Sequence, residues 1–142
     1  MREIVLDTET TGLDWRQGDR VIEIGCLELV NHLPTGRVLH HYINPQRAIS
    51  AGASGVHGIT MEDLVDKPTF REVAQEFLDF IEDAPLVIHN AAFDSGFINN
   101  ELSLVGMAPL PENRFVCTLV MARRKYPGAQ NSLDALCRRF AV

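Results

Sequence analysis

Nine residues near the start of the chain, Ile4-Val5-Leu6-Asp7-Thr8-Glu9-Thr10-Thr11-Gly12, constrain its fold more than any other stretch. The aliphatic and β-branched run reads as a short buried strand, which then delivers Asp7 and Glu9. Strand side chains alternate faces with period two, so the two carboxylates point the same way. Side by side at the end of an apolar strand, they repel each other and lose solvation. That raises the apparent pKa of one of them unless a cation sits between them. All the donors on offer are oxygens, so the matching cation is a hard divalent metal. The same residues also fit a surface strand end with two solvated acids, and the stretch alone leaves both readings open.

A chain of 142 residues suits one compact domain, residues 1–142, with a sizeable core. No apolar run approaches the length of a membrane span, and the charged start (Arg2, Glu3) lacks a signal-peptide pattern, so no membrane partner is expected. Cys26, Cys117 and Cys137 show no CxxC or Cys/His spacing. They read as reduced thiols of a cytoplasmic protein, not as a disulfide framework or zinc site.

The net charge of −6 argues at first against a nucleic-acid partner. Its distribution reopens the question. Residues 114–142 hold Arg114, Arg123, Arg124, Lys125, Arg138 and Arg139 against Asp134 alone. A basic C-terminal section beside an acidic body is compatible with a phosphate backbone along one side. Taken by itself, it is better explained as ordinary solvated helix surface.

Along the chain, Val21 to Val30 reads as a second strand, Asn31 to Gly36 as a turn with Pro34 and Gly36, and Arg37 to Ile43 as a third strand. Ala48 to Gly58, rich in Gly, Ala and Ser, reads as a loop containing His57. Thr60 caps a short helical turn through Asp63, and Thr69 caps a strong helix with Phe70, Val73, Ala74, Phe77, Leu78 and Ile81 on one stripe. Pro85 to His89 is a short buried strand, followed by a helix from Ala91 to Val105 that ends at Gly106. Phe115 and Val116 are the last strand. Thr118 to Tyr126 is a helix, and Asn131 or Ser132 caps another through Phe140. The expected fold class is α/β: a mixed sheet, a three-strand meander plus further strands, flanked by helices.

Asp94 strengthens the opening motif. It lies in His89-Asn90-Ala91-Ala92-Phe93-Asp94, at the first turn of a helix leaving a buried strand. Ligand crevices in open α/β sheets form outside the carboxyl ends of strands. If the two strands are neighbours, Asp7 and Asp94 meet there. An acid in a first helical turn also simply favours the helix dipole. That explains Asp94 alone but not its coincidence with Asp-x-Glu.

Asp7-Thr8-Glu9-Thr10-Thr11-Gly12, Val56-His57-Gly58-Ile59, His89 through Asp94, and Pro127-Gly128 with Asn131-Ser132-Leu133-Asp134-Ala135-Leu136-Cys137 occur in that order. In this ordered set, running essentially from end to end, the chain resembles the DEDD-type (DEDDh) 3′→5′ exonucleases of the ribonuclease H-like fold. Within them it is similar to the proofreading, epsilon-type branch of bacterial replicative DNA polymerases. The resemblance implies two divalent metal ions, Mg²⁺ or Mn²⁺, with Asp7, Glu9 and Asp94 as catalytic ligands. In such sites the ions sit roughly 3.5–4 Å apart, one activating the attacking water and the other stabilising the leaving 3′ oxygen. It further implies that Glu9 and His57 reach the terminal nucleotide and that Leu13 and Phe93 pack on terminal bases. The expected partners are single-stranded or frayed DNA 3′ ends and a DNA polymerase catalytic subunit. Relatives of this type often carry an acid five residues before the histidine; Gly52 stands there instead.

The family's third motif, a general-base histidine followed five residues later by a fourth aspartate, has no match before Val142. His32, His40 and His41 lie in or near the meander, and Asp134 belongs to the preceding helix. The expectation is a domain without its motif-III helix that binds metal weakly and hydrolyses DNA poorly on its own. Two other functions stay open: RNA trimming, since the same acids cut either backbone, and a non-catalytic module that docks on a polymerase.

Overall fold

A computed structural model describes residues 1–142. Five strands form one sheet: β1 (Arg2–Thr10), β2 (Val21–Val30), β3 (Leu33–Tyr42), β4 (Leu86–Ile88) and β5 (Phe115–Cys117), in the order β3-β2-β1-β4-β5. The first three make the expected antiparallel meander, with Asp7 opposite Gly25 and Glu9 opposite Glu23. β1 then pairs in parallel with β4, Ile4 beside Leu86, and β4 with β5. β1 is thus the seam between the two halves of the sheet.

Six helices complete the chain: α1 (Ala51–His57), α2 (Met61–Leu64), α3 (Phe70–Ile81), α4 (Ala91–Leu104), α5 (Thr118–Lys125) and α6 (Leu133–Arg139). Alternation along β1 and β2 sends Ile4, Leu6, Ile24 and Cys26 to one face. There they meet Phe70, Val73, Ala74, Phe77 and Ile81 of α3 and Phe97, Ile98 and Leu102 of α4. The other face carries Asp7 and Glu9. On it Val5, Leu27 and Val38, adjacent in register across three strands, stay exposed.

Three local expectations change. Asn31 and His32 both take left-handed φ (51° and 67°), which makes a tight two-residue hairpin whose twist suits the strands. Pro34 therefore lies inside β3, at the sheet edge where a missing N–H is tolerated. Residues 51–57 form a helix instead of a loop: the Ser50 side chain accepts from Ala53 N at 3.1 Å, and Gly58 closes the end with φ 70°. Thr69 sits at the start of α3, but its hydroxyl bonds the Glu72 carboxylate instead of an amide. The Thr60–Asp63 capping box forms as read. All three cysteines are free thiols, and no helix is long and apolar enough to cross a membrane.

Candidate active site

β1 carries Asp7 and Glu9 on one face, and between them Thr8 turns inward. Its hydroxyl donates to Asp94 Oδ1 at 2.8 Å. Asp94 arrives from α4, whose start follows β4 through Asn90 in a left-handed conformation (φ 67°, ψ 56°) that asparagine tolerates better than most residues. The adjacency of β1 and β4 thus brings the Asp-x-Glu strand to Asp94, as the sequence led one to expect.

The electrostatics of the three acids agree with that geometry. Burial pushes Asp94, 4% exposed, up to about 7, and the charges of Asp7 and Glu9 add to the rise, while the Thr8 hydroxyl opposes it. Glu9 is raised by burial first and then by Asp7. Loss of solvation also raises Asp7, helped by Glu23. Asp94 feels both other acids and Glu9 feels Asp7, so the three carboxylates form a set of hard oxygen donors suited to divalent cations. They are not drawn into a finished cage, since no three His, Cys, Asp or Glu side chains converge at metal-holding distance.

Beside the acids lies a cavity of about 400 Å³, lined in part by Glu9, Gly12, Leu13, Gly52, His57 and Phe93. The residues expected to meet the terminal nucleotide therefore face one space, within the size range of small-molecule sites. His57 enters it fixed at both ring nitrogens: Nδ1 accepts from Ile59 N at 3.0 Å, and Nε2 faces the Thr10 carbonyl at 3.1 Å. The ring is thereby set as the neutral Nε2–H tautomer. His89 is fixed likewise, between Thr118 Oγ1 and the Asn131 carbonyl, each at 2.9 Å. Neither ring has a nitrogen free to act as a base in this arrangement.

Sequence reasoning missed the supports behind these groups. Thr11 Oγ1 donates to Asp19 at 2.8 Å and accepts from Arg20 N, which folds the Thr-Thr-Gly segment onto the start of β2. Arg20 grips buried Glu101 of α4 in a two-point ion pair. Glu23 lies across from Glu9. Period-two alternation places Glu23 on a definite face of β2, but only the register puts it beside Glu9.

The chain belongs to the exonuclease family: the family model described as "Exonuclease" (RNase_T) matches residues 4–142. It is similar to the DNA polymerase III subunit epsilon of Rickettsia felis, 54% identical over 145 residues that cover 100% of this chain and 63% of the relative. Its likeness to the subunit of the same name from Escherichia coli is 50% over 149 residues, covering 99% of this chain and 61% of that one. The chain therefore spans somewhat under two thirds of these relatives. Among solved structures it is similar to exonuclease X in complex with 5′ overhanging duplex DNA (TM-score 0.75, 29% identity, 98% of this chain and 73% of that one). The nuclease domain of 3′hExo, a DEDDh family member bound to rAMP, shares the fold (TM-score 0.82, 18% identity, 99% and 79% covered). Exonucleases of this type generally use divalent metals.

Proposed function

We propose that this chain is the metal- and 3′-end-binding part of a proofreading 3′→5′ DNA exonuclease that releases nucleoside 5′-monophosphates. The observation that carries this reading is the Thr8–Asp94 bond, which sets Asp94 against the strand that bears Asp7 and Glu9, with Glu9 lining a cavity shared with Leu13, His57 and Phe93. Asp7, Glu9 and Asp94 would hold two divalent ions, Mg²⁺ or Mn²⁺. When bound, such ions supply an activated water and stabilise the leaving oxygen. Leu13 and Phe93 offer apolar contact that reads no sequence, which suits removal of any misplaced nucleotide. His57, hydrogen-bonded at both ring nitrogens, is a wall of the pocket, and Gly52 brings no carboxylate to it. His57 and His89, each engaged at both ring nitrogens, offer no free base in this arrangement, and a polymerase catalytic subunit is the protein partner.

Titration of the 142-residue chain with Mn²⁺ and thymidine 5′-monophosphate tests the reading. Binding of both, lost in Asp7→Ala, supports it. Slow shortening of a 5′-labelled DNA from its 3′ end accords with ring nitrogens already engaged at His57 and His89, whereas rapid shortening by the 142-residue chain overturns that part. Preference for matched RNA over DNA moves the reading to RNA trimming. Absence of both metal and nucleotide binding leaves the docking module, for which the exposed Val5–Leu27–Val38 row offers an apolar surface.

A further inference from the structure

The chain contains one tryptophan, Trp15, in a single 3₁₀ turn (Trp15–Gln17) two residues beyond Leu13. The turn is firmly built. Asp14 accepts from Arg16 N at 2.9 Å, the Asp14 carbonyl takes the amides of Gln17 and Asp19, and Gly18 closes it with φ 94°. The Asp14 carboxylate is therefore engaged within the turn. The indole sits against α4 where Gly96 has no side chain; a Cβ there would lie 2.5 Å from Nε1. The Arg16 guanidinium lies 4.6 Å from the indole centroid.

Between this turn and α4 runs a cleft of about 510 Å³, lined among others by Trp15, Arg16, Ser95, Asn100 and Ser103. No carboxylate lines it, and Arg16 is its only charged group, in a chain of net charge −6. An anionic strand repelled by much of this surface meets a cation and hydrogen-bonding side chains here. The cleft and the nucleotide cavity draw on the same two segments. Leu13, 86% exposed, and Phe93 line the cavity, while Trp15, two residues after Leu13, and Ala92 and Ser95, on either side of Phe93 in α4, line the cleft.

We propose that the Trp15–Arg16 turn and the polar side of α4 form a second nucleic-acid subsite, which receives the nucleotides preceding the 3′-terminal one in a single strand. This rests on the reading that the neighbouring cavity takes the terminal nucleotide. The strand crosses Leu13, Arg16 meets a phosphate, and a base lies against the indole edge. Such contacts tolerate any sequence, because every base has a π-face.

The sole tryptophan makes the test direct. With Mg²⁺ present, the emission of Trp15 is followed during titration with thymidine 5′-monophosphate and with oligothymidylates of two to five residues that carry a 3′-terminal phosphorothioate against cleavage. The mononucleotide binds with little change in emission, whereas oligomers of three or more residues quench it and bind about tenfold more tightly. Arg16→Gln removes most of that gain, leaves mononucleotide affinity unchanged and lowers the salt slope of oligomer binding by about 0.7. Equal affinity for monomer and pentamer overturns the subsite. So does a length-dependent gain with silent Trp15 and neutral Arg16→Gln. If the mononucleotide fails to bind while oligomers still quench Trp15, the subsite stands and the terminal-nucleotide pocket falls. If nothing binds, both fall.

Discussion

Thr8 Oγ1 reaches Asp94 Oδ1 across 2.8 Å, tying the central strand to the helix that follows its parallel neighbour. Thr8→Val keeps the shape of the side chain and deletes the donor. A buried carboxylate left one hydrogen bond short costs about 1–3 kcal/mol. Urea denaturation at pH 8 is expected to show that loss, and Mn²⁺ titration a weaker site. A variant as stable and as metal-avid as the parent would mean that this bond does not hold Asp94 in place.

The raised carboxylates set a pH dependence with a definite sign. Asp94 ionises near 3.8 when unfolded and near 7 in the fold. Between those values the folded chain keeps a proton that the unfolded chain has released, so stability falls as pH rises and the loss is complete above about 7. Asp7, Glu9 and Glu101, also raised, act in the same direction. Glu28 and Asp63, held low by hydrogen bonds, lose their contribution only in acid. In EDTA the melting temperature is expected to decline from pH 5.5 to 8, and Mg²⁺ or Mn²⁺ to restore it most at pH 8. Asp94→Asn, which keeps an acceptor for Thr8, raises Tm at pH 8 in EDTA and abolishes most of the cation response. A melting curve that climbs over this pH range contradicts the assignment.

The Arg20–Glu101 pair is lopsided. Glu101 is 1% exposed, whereas the Arg20 side chain retains 24% of its surface. Removing Arg20 strands a buried carboxylate, while removing the Glu101 charge leaves a guanidinium that reaches water. Arg20→Met is therefore expected to cost about 3–5 kcal/mol, and Glu101→Gln clearly less. Chemical denaturation of the two variants checks the order, and equal losses would refute it.

Two glycines are set by neighbours. A Cβ on Gly12 would lie 2.4 Å from Asp19 Oδ2, and one on Gly96 would strike the indole. Gly96→Ala is expected to displace Trp15, shift its emission to the red and cost about 1–3 kcal/mol. Unchanged emission and Tm would show that the helix and the turn have room to separate.

The strands, α3, α4 and the approach of Asp94 to the strand that bears Asp7 and Glu9 were legible because they depend on periodicity and strand-end placement. Val73 and Phe77 declare a helix face by spacing alone. The hairpin at Asn31-His32 was hidden by Pro34, which punctuates a turn in most contexts but here occupies a sheet edge. Helix α1 escaped because Ala51-Gly52-Ala53-Ser54-Gly55 has poor helix propensity and is held by its caps. Arg20–Glu101 and Glu23–Glu9 are long-range pairings whose partners only register and packing select.

Because β1 is the seam of the sheet, the candidate site straddles two stages of chain closure. The meander joins residues near one another in sequence, and it can present Asp7 and Glu9 early. Asp94 arrives only when Ile4 meets Leu86, a closure spanning more than half the chain. A partly folded chain thus has two of the three acids and little to offer a cation. Contacts formed after the folding transition state slow unfolding without speeding folding. Mn²⁺ is accordingly expected to lengthen the lifetime of the folded chain in stopped-flow unfolding while leaving its refolding rate unchanged, so that the ion acts as a latch on the pairing of β1 with β4.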